Sequence, residues 1–278
     1  MAGNIFLLLF LFIMAFLFFF PVIFMVSKSL KPMNELYVFP PRLWVKNPTL
    51  NNFRDLFNML ENTLVPFLRY LFNSLIVVSV GSLGHIALAS MCAYPLAKFK
   101  FPGSKFLSTL IIYSLMFNAT VTAVPNFITI SKLKLIDSLG AIILPTFAST
   151  LGLYLMQNFM QQVPDSLIEA AKIDGASDFR IHWIIVMPII KPAWITAFIL
   201  IFQSLWTNTG ANYIFDEKLK SVAYLISQLS SGSMTGMGVA RAGVFAAASV
   251  LMFLVPVVVF LFMQSNVIAT MATSGMKE

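Results

Sequence analysis

The run from Ile5 to Val26 contains no charged residue, and five further long apolar stretches follow it along the chain. A helix needs about 20 apolar residues to cross about 30 Å of hydrocarbon, where no water satisfies exposed backbone N–H and C=O groups. The stretches cover about 4–27, 69–96, 106–130, 138–160, 186–207 and 242–264. They predict an all-α membrane protein with six transmembrane helices, forming a single transmembrane domain over 1–278. Composition agrees: 59% of residues are hydrophobic and 10% charged, against about a quarter charged in soluble domains. The opening run is too long for the apolar core of a signal peptide, and no small-residue cleavage site precedes Lys28, so it is expected to be retained.

The formal charge of +7 is dispersed over loops. That suits a protein bordered by basic loops in a bilayer and not a nucleic-acid binder. A single cysteine excludes a disulfide framework and a cysteine-rich metal site. Cys92 lies between Met91 and Ala93 in an apolar run, where a buried thiol is expected.

All eleven acidic residues fall outside the middle of a span, with Asp137 bordering the fourth. Proton-coupled carriers keep a titrating group within the membrane. His85 is the one clear candidate, and among Gly84, Ile86 and Ala87 it reads first as a packing residue. No G-x-x-x-x-G-K-[ST] phosphate loop is present. The chain is therefore either a passive channel or a carrier energised by a partner.

Between the spans, 28–68 holds Pro32, Pro40, Pro41 and Pro48, followed by Leu50, Phe53, Leu56, Phe57 and Leu60 at helical spacing. Asn47-Pro48-Thr49 is placed to start that helix. Small and hydroxyl residues such as Gly81, Ser82, Gly84, Thr120 and Thr122 suit close packing between helices.

The most informative loop is Val163–Ser177. Pro164 suits the first helical position, and Asp165 and Glu169 lie near the positive end of the helix dipole. Leu167, Ala170, Ala171 and Asp174 share one side, and Lys172 stands three residues after Glu169, within reach of an ion pair. Gly175 is suited to end the helix in a left-handed turn, and Ser177 to cap a second one. The pattern predicts a short helix over about 164–175. It either joins two spans or offers a surface on which another protein docks.

Glu169-Ala170-Ala171, then Asp174-Gly175-Ala176-Ser177, then Ile185, Pro188 and Pro192, resembles the EAA motif of ABC importer permeases. His182 stands where that family commonly has an aromatic residue, with Trp183 beside it. Ser29-Leu30-Lys31, Pro40-Pro41, Asn73-Ser74-Leu75, Ala93-Tyr94-Pro95-Leu96-Ala97, Phe101-Pro102-Gly103 and Thr273–Lys277 extend the resemblance over nearly the whole chain, to the carbohydrate-uptake branch and the smaller permease of the maltose type.

The resemblance implies a permease of the bacterial cytoplasmic membrane with both termini cytoplasmic. Its partners would be a homologous second permease, two cytoplasmic ATPase subunits and an extracytoplasmic solute-binding protein. It implies that Glu169, Ala170, Ala171, Asp174 and Gly175 belong to a cytoplasmic coupling helix docked in a cleft of the ATPase. Ser274, Gly275 and Lys277 of the C-terminal tail would reach the ATPase interface, and Ser231, Gly232, Ser233 and Met234 the binding protein. By composition alone the latter loop is flexible and solvated. ATP and Mg would be used by the partner; this chain is expected to bind no cofactor or metal and to perform no covalent chemistry.

The solute expected is a carbohydrate, an oligosaccharide, moved by alternating access. The alternatives are an acidic saccharide or glycerol phosphate, and beyond the family a secondary transporter or channel. Candidate pathway residues on spans three to five are Asn118, Thr122, Asn126, Gln203 and Trp206, where Trp206 serves either sugar stacking or interfacial anchoring. Charge counting conflicts with the implied orientation. Residues 1–27 hold no Lys or Arg, Lys28 and Lys31 follow the first span, and Lys132 and Lys134 offset Lys98, Lys100 and Lys105.

Overall fold

The computed structural model describes residues 2–61, 65–117, 119–231 and 242–274. Among these, every regular element is helical. The first apolar run forms α1, Ala2–Leu30, and no residue of its most apolar stretch is buried. After the short helix α2 (Met33–Leu36) the chain is irregular to α3, Asn51–Glu61, the helix expected from the Leu50–Leu60 spacing. Leu56 is its fully buried residue, while Leu50 stays exposed. The second span is α4, Phe67–Lys98.

The third predicted span is interrupted. It consists of α5 (Ser104–Ser114) and α6 (Ala119–Lys132), roughly 16 and 21 Å long and each too short to cross a bilayer alone. The ladder changes at the break. Ser114 Oγ donates to the Ile111 carbonyl, and Leu115, Met116 and Phe117 then close i→i−3 bonds in place of the α ladder. The fourth segment is α7 (Gly140–Phe147) with α8 (Thr150–Gln161), divided at Ser149, whose backbone is extended. Together they are long and apolar enough for one crossing.

The surface-loop pattern becomes α9 (Asp165–Ile173) and α10 (Asp178–Ile181), followed by a π-helical turn at His182–Val186 and by α11, Met187–Ile189. The fifth span, expected straight over 186–207, is bent: α12 (Lys191–Trp206) leaves the Asp178–Ile189 arm at 81°. Pro192, the second residue of α12, supplies no N–H and its ring crowds the carbonyl four residues back, and Ile190, two residues before it, is non-helical at φ −87°, ψ 18°. The chain ends with α13 (Val222–Ser231) and α14 (Ala242–Ser274). Ile5–Leu30, Phe67–Lys98, Gly140–Gln161 and Ala242–Gln264 can each span a bilayer by length and composition, and the bent pair provides up to a fifth crossing.

Contacts group the chain into two units, Met1–Tyr70 with Val222–Val257 and Leu71–Ser221 with Val258–Glu278. In the first, the segment after α1 is laced to it by polar bonds. Asn52 Nδ2 donates to the carbonyls of Ser29 (2.8 Å) and Lys31 (2.7 Å), Lys31 Nζ to the Arg42 carbonyl, and Ser27 Oγ to the Leu43 carbonyl. Gly243 of α14 leaves room for Asn52, whose amide a Cβ would strike.

In the second unit α4 is packed on several sides through its small residues. A Cβ on Gly81 would stand 2.5 Å from Leu205 of α12, and one on Gly84 would collide with Phe147 of α7. The imidazole of His85 is fully buried against Gly152 of α8. Gln157 of α8, also buried, donates to Ser108 Oγ of α5 at 2.7 Å. Cys92 is exposed, contrary to the expectation of a buried thiol. It lines an apolar groove of about 530 Å³ with Pro95, Leu96, Phe101, Leu107 and Leu110. Apolar neighbours do not signal burial in a span, because the face turned away from the protein is apolar as well.

Candidate functional site

The helix α9 is assembled by local chemistry. Pro164 precedes it in extended geometry (φ −60°, ψ 132°), one position earlier than expected, as the N-cap. At the other end Gly175 adopts φ +80°. The Gly175 N–H bonds the Lys172 carbonyl and the Ala176 N–H bonds the Ala171 carbonyl, both at 3.0 Å. This paired closure satisfies two orphan carbonyls and favours glycine at the left-handed residue. Ser177 Oγ then accepts from the Arg180 N–H and caps α10.

One side of α9 is sealed and the other open. Ile168 and Ala171 are buried, while Glu169, Ala170, Asp174 and Gly175 are exposed. Ile173 is 87% exposed and Phe179, on α10, 65%. Leu167 is 44% exposed and so does not share the burial of Ala171, contrary to the one-sided pattern expected of them. The exposed part of the segment is polar with three large apolar side chains, Leu167 and Ile173 on α9 and Phe179 on α10. Lys172 does not pair with Glu169; it forms a 3.0 Å ion pair with Asp178 and lies 5.4 Å from the centre of the Phe99 ring.

The sealed side rests near the C-terminal end of α4. Lys98 Nζ donates to the Val163 carbonyl (2.5 Å) and to Asp165 Oδ1 (2.7 Å). Its hydrogen bond and positive charge hold the Asp165 carboxyl below the usual aspartate range. Tyr94 packs edge-on against Phe99 at 5.4 Å and tilted against His182 at 5.2 Å. His182 Nε2 is 3.3 Å from Ser90 Oγ. In the sequence Lys98 registers only as one loop charge among several, and its contact with Asp165 joins positions 67 residues apart.

The pathway candidates are distributed differently. Thr122 is half-buried, Asn126 and Gln203 are exposed, and Asn118 lies outside the described residues. Trp206 is 3% exposed and stacks on Phe202 at 5.9 Å, which stacks in turn on Phe198 at 6.0 Å. Gln203 and Trp206 thus occupy an open and a buried position of the same helix. Beside α6, a groove of about 470 Å³ is lined by Ala123, Val124, Phe127, Asn212, Tyr213 and Phe215. The 208–221 loop is held there by Asp137, whose Oδ1 accepts the N–H groups of Phe215 (2.5 Å) and Asp216 (2.9 Å). Those two bonds hold the Asp137 carboxyl below its ordinary value. The sequence missed this because the pairing is between loops, without a motif.

Ser231 ends α13, exposed, and donates to the Gln228 carbonyl at 3.1 Å; Gly232, Ser233 and Met234 lie outside the described residues. Ser274 is the last residue of α14, and Gly275 and Lys277 lie beyond the described part. Among the described residues no group of three or more His, Cys, Asp or Glu side chains is placed to hold a metal ion.

Residues 85–272 match the family described as the binding-protein-dependent transport system inner membrane component. The sn-glycerol-3-phosphate transport system permease protein of Escherichia coli is 30% identical over 236 residues, covering 83% of this chain and 82% of that protein. A Pyrococcus horikoshii protein named as a probable ABC transporter permease is 27% identical over 253 residues, 90% of each chain. The fold is similar to that of a chain in a bacterial ABC transporter involved in the import of the acidic polysaccharide alginate, with a TM-score of 0.82 at 21% identity, covering 95% of this chain and 96% of that one. The family match takes in the second half of α4 and the later helices as far as Ala272 in the last turn of α14, including the α9 segment and the bent pair before and after Ile190, and the chain belongs to this family of multi-pass ABC importer permease subunits.

Proposed function

We propose that this chain, paired with a homologous second permease, forms the membrane pathway of an importer for an anionic small solute, a phosphorylated polyol or an acidic saccharide. The observation that carries the solute class is the 30% identity, over 83% of the chain, to a glycerol-phosphate permease protein. It favours what began as the alternative over a neutral oligosaccharide, which rests on the resemblance to the maltose branch.

In this reading α5 and α6 together make the third of six crossings of a single domain, and both termini are cytoplasmic. The open face of α9, with Glu169, Ala170, Asp174 and Gly175 over the buried Ala171, docks on an ATPase subunit that binds ATP and Mg. Closure of the ATPase pair moves α9 and opens the cavity toward a solute-binding protein, which Ser231–Met234 approach. The tail through Ser274, Gly275 and Lys277 reaches the ATPase interface. Solute passes Asn118, Thr122, Asn126 and Gln203, with Trp206 in the aromatic stack of α12.

The test is purification of the tagged subunit from its native membrane with gentle detergent, followed by identification of what accompanies it. A second permease and an ATPase are expected. Recovery of the chain alone would return the reading to a channel or secondary transporter. The associated binding protein is then titrated with glycerol phosphate, a uronate oligosaccharide and a neutral oligosaccharide. Binding of the neutral sugar alone would reverse the solute class.

A further inference from the structure

We propose that Lys98 is a positioning residue that fastens the coupling segment to the end of the second span, so that a displacement of α9 is delivered directly to α4 and not only to the bent arm that follows α9. The proposal rests on the importer reading above.

Lys98 is the last residue of α4, yet its side chain is only 5% exposed. Its ammonium grips two acceptors on either side of Pro164, the Val163 carbonyl and the Asp165 carboxylate, at the point where the chain enters α9. The second ion pair of this segment, Lys172–Asp178, differs at its cation: Asp165 is itself 76% exposed and Asp178 52%, but Lys172 is 46% exposed where Lys98 is 5%, and pairs exposed on both sides contribute little. A lysine head withdrawn from water requires its partners, because leaving it unpaired is costly. Charge placement also matches the backbone dipoles, with a cation in the last turn of α4 and an anion in the first turn of α9.

The contact continues along one stripe of α4. Ser90, Tyr94 and Lys98 are spaced four apart, which places them on a single helix face. Ser90 and Tyr94 meet His182, at the start of the π-helical turn, while Lys98 meets residues 163 and 165. Phe99 bridges the two ends by packing on Tyr94 and under Lys172. One stub of α4 thus holds the segment both where it enters α9 and where it enters the bent arm.

The experiment uses the complete importer in proteoliposomes, with ATP hydrolysis and solute uptake read from the same vesicles. With Lys98→Met, the ATPase is expected to remain bound and to hydrolyse ATP, while solute moved per ATP falls about tenfold, the scale of losing a charged hydrogen bond in a coupling network. Lys98→Arg should restore most of the ratio. Asp165→Asn should lose less than Lys98→Met, because the Val163 carbonyl remains as an acceptor. An unchanged ratio in Lys98→Met, or a parallel fall of uptake and hydrolysis, overturns the positioning role. If Lys98→Met gives no complex, Asp165→Asn decides, and an unchanged ratio there overturns the proposal. Absence of ATP-driven uptake by the unmodified complex would take down the importer reading, and this proposal with it, before any variant is compared.

Discussion

Gly175 holds φ +80° with nothing within 4 Å of where a Cβ would stand. A side chain there meets no clash, so its cost is backbone strain alone, about 1–2 kcal/mol. Gly175→Val is expected to leave the protein inserted but to distort the end of α9, lowering the amount of ATPase recovered with it; Gly175→Asn should be milder, since asparagine tolerates the left-handed region. Unchanged recovery with valine would count against docking at this helix end. Asp137 allows a test with acid. Its folded-state carboxyl lies below the ordinary aspartate value, so its contribution is present above about pH 3.9 and is lost as pH falls through the lower folded value. Amide exchange at Phe215 and Asp216, corrected for its intrinsic pH dependence, should accelerate over that acid range, and Asp137→Asn should abolish the pH-dependent step. Pro164, Gly175 and Ser177 were legible because each acts on its own backbone. Lys98 and Lys31 were not, since their partners are carbonyls fixed only by the fold. Lys31 is 3% exposed, so it is a structural cation.

Apolar length is the signal that reveals helices in such a chain, and the stretches 4–27, 69–96 and 242–264 fall within α1, α4 and α14, the last of which runs on to Ser274. It said less about continuity. The interruption after Ser114, where i→i−3 bonds replace the α ladder, and the bend at Ile190, close to Pro192, leave mean hydropathy unchanged. Packing between helices depends on missing side chains. Gly152 makes room for the His85 imidazole, and a methyl group at that position would overlap Nε2. Gly152→Ala should therefore destabilise by about 1–3 kcal/mol, seen as a lower unfolding temperature in detergent. Adding His85→Ala should recover part of the loss if the two residues are coupled through this contact. A double variant no better than Gly152→Ala would locate the strain elsewhere.

For the molecule as a whole, acid placement and the missing phosphate loop pointed to an energised partner, and the family match agrees with that direction. The solute was the least legible feature. Asn126 and Gln203 are exposed and Trp206 is buried in an aromatic stack, and in the proposed importer one subunit would supply only part of a pathway shared by two. If the last turn of α14 and the tail beyond it reach the ATPase interface, truncation after Ala269 should lower ATP hydrolysis by the assembled complex several-fold while leaving assembly intact. Normal hydrolysis by the truncated complex would remove that role.

Cys92 is the sole thiol in the chain, and it is outward-facing on α4, six residues before Lys98. These 278 residues therefore offer one thiol for labelling. A fluorophore or spin label can be attached at one known site without removing other cysteines from this subunit. Its signal would report the movement of α4 through the transport cycle in real time.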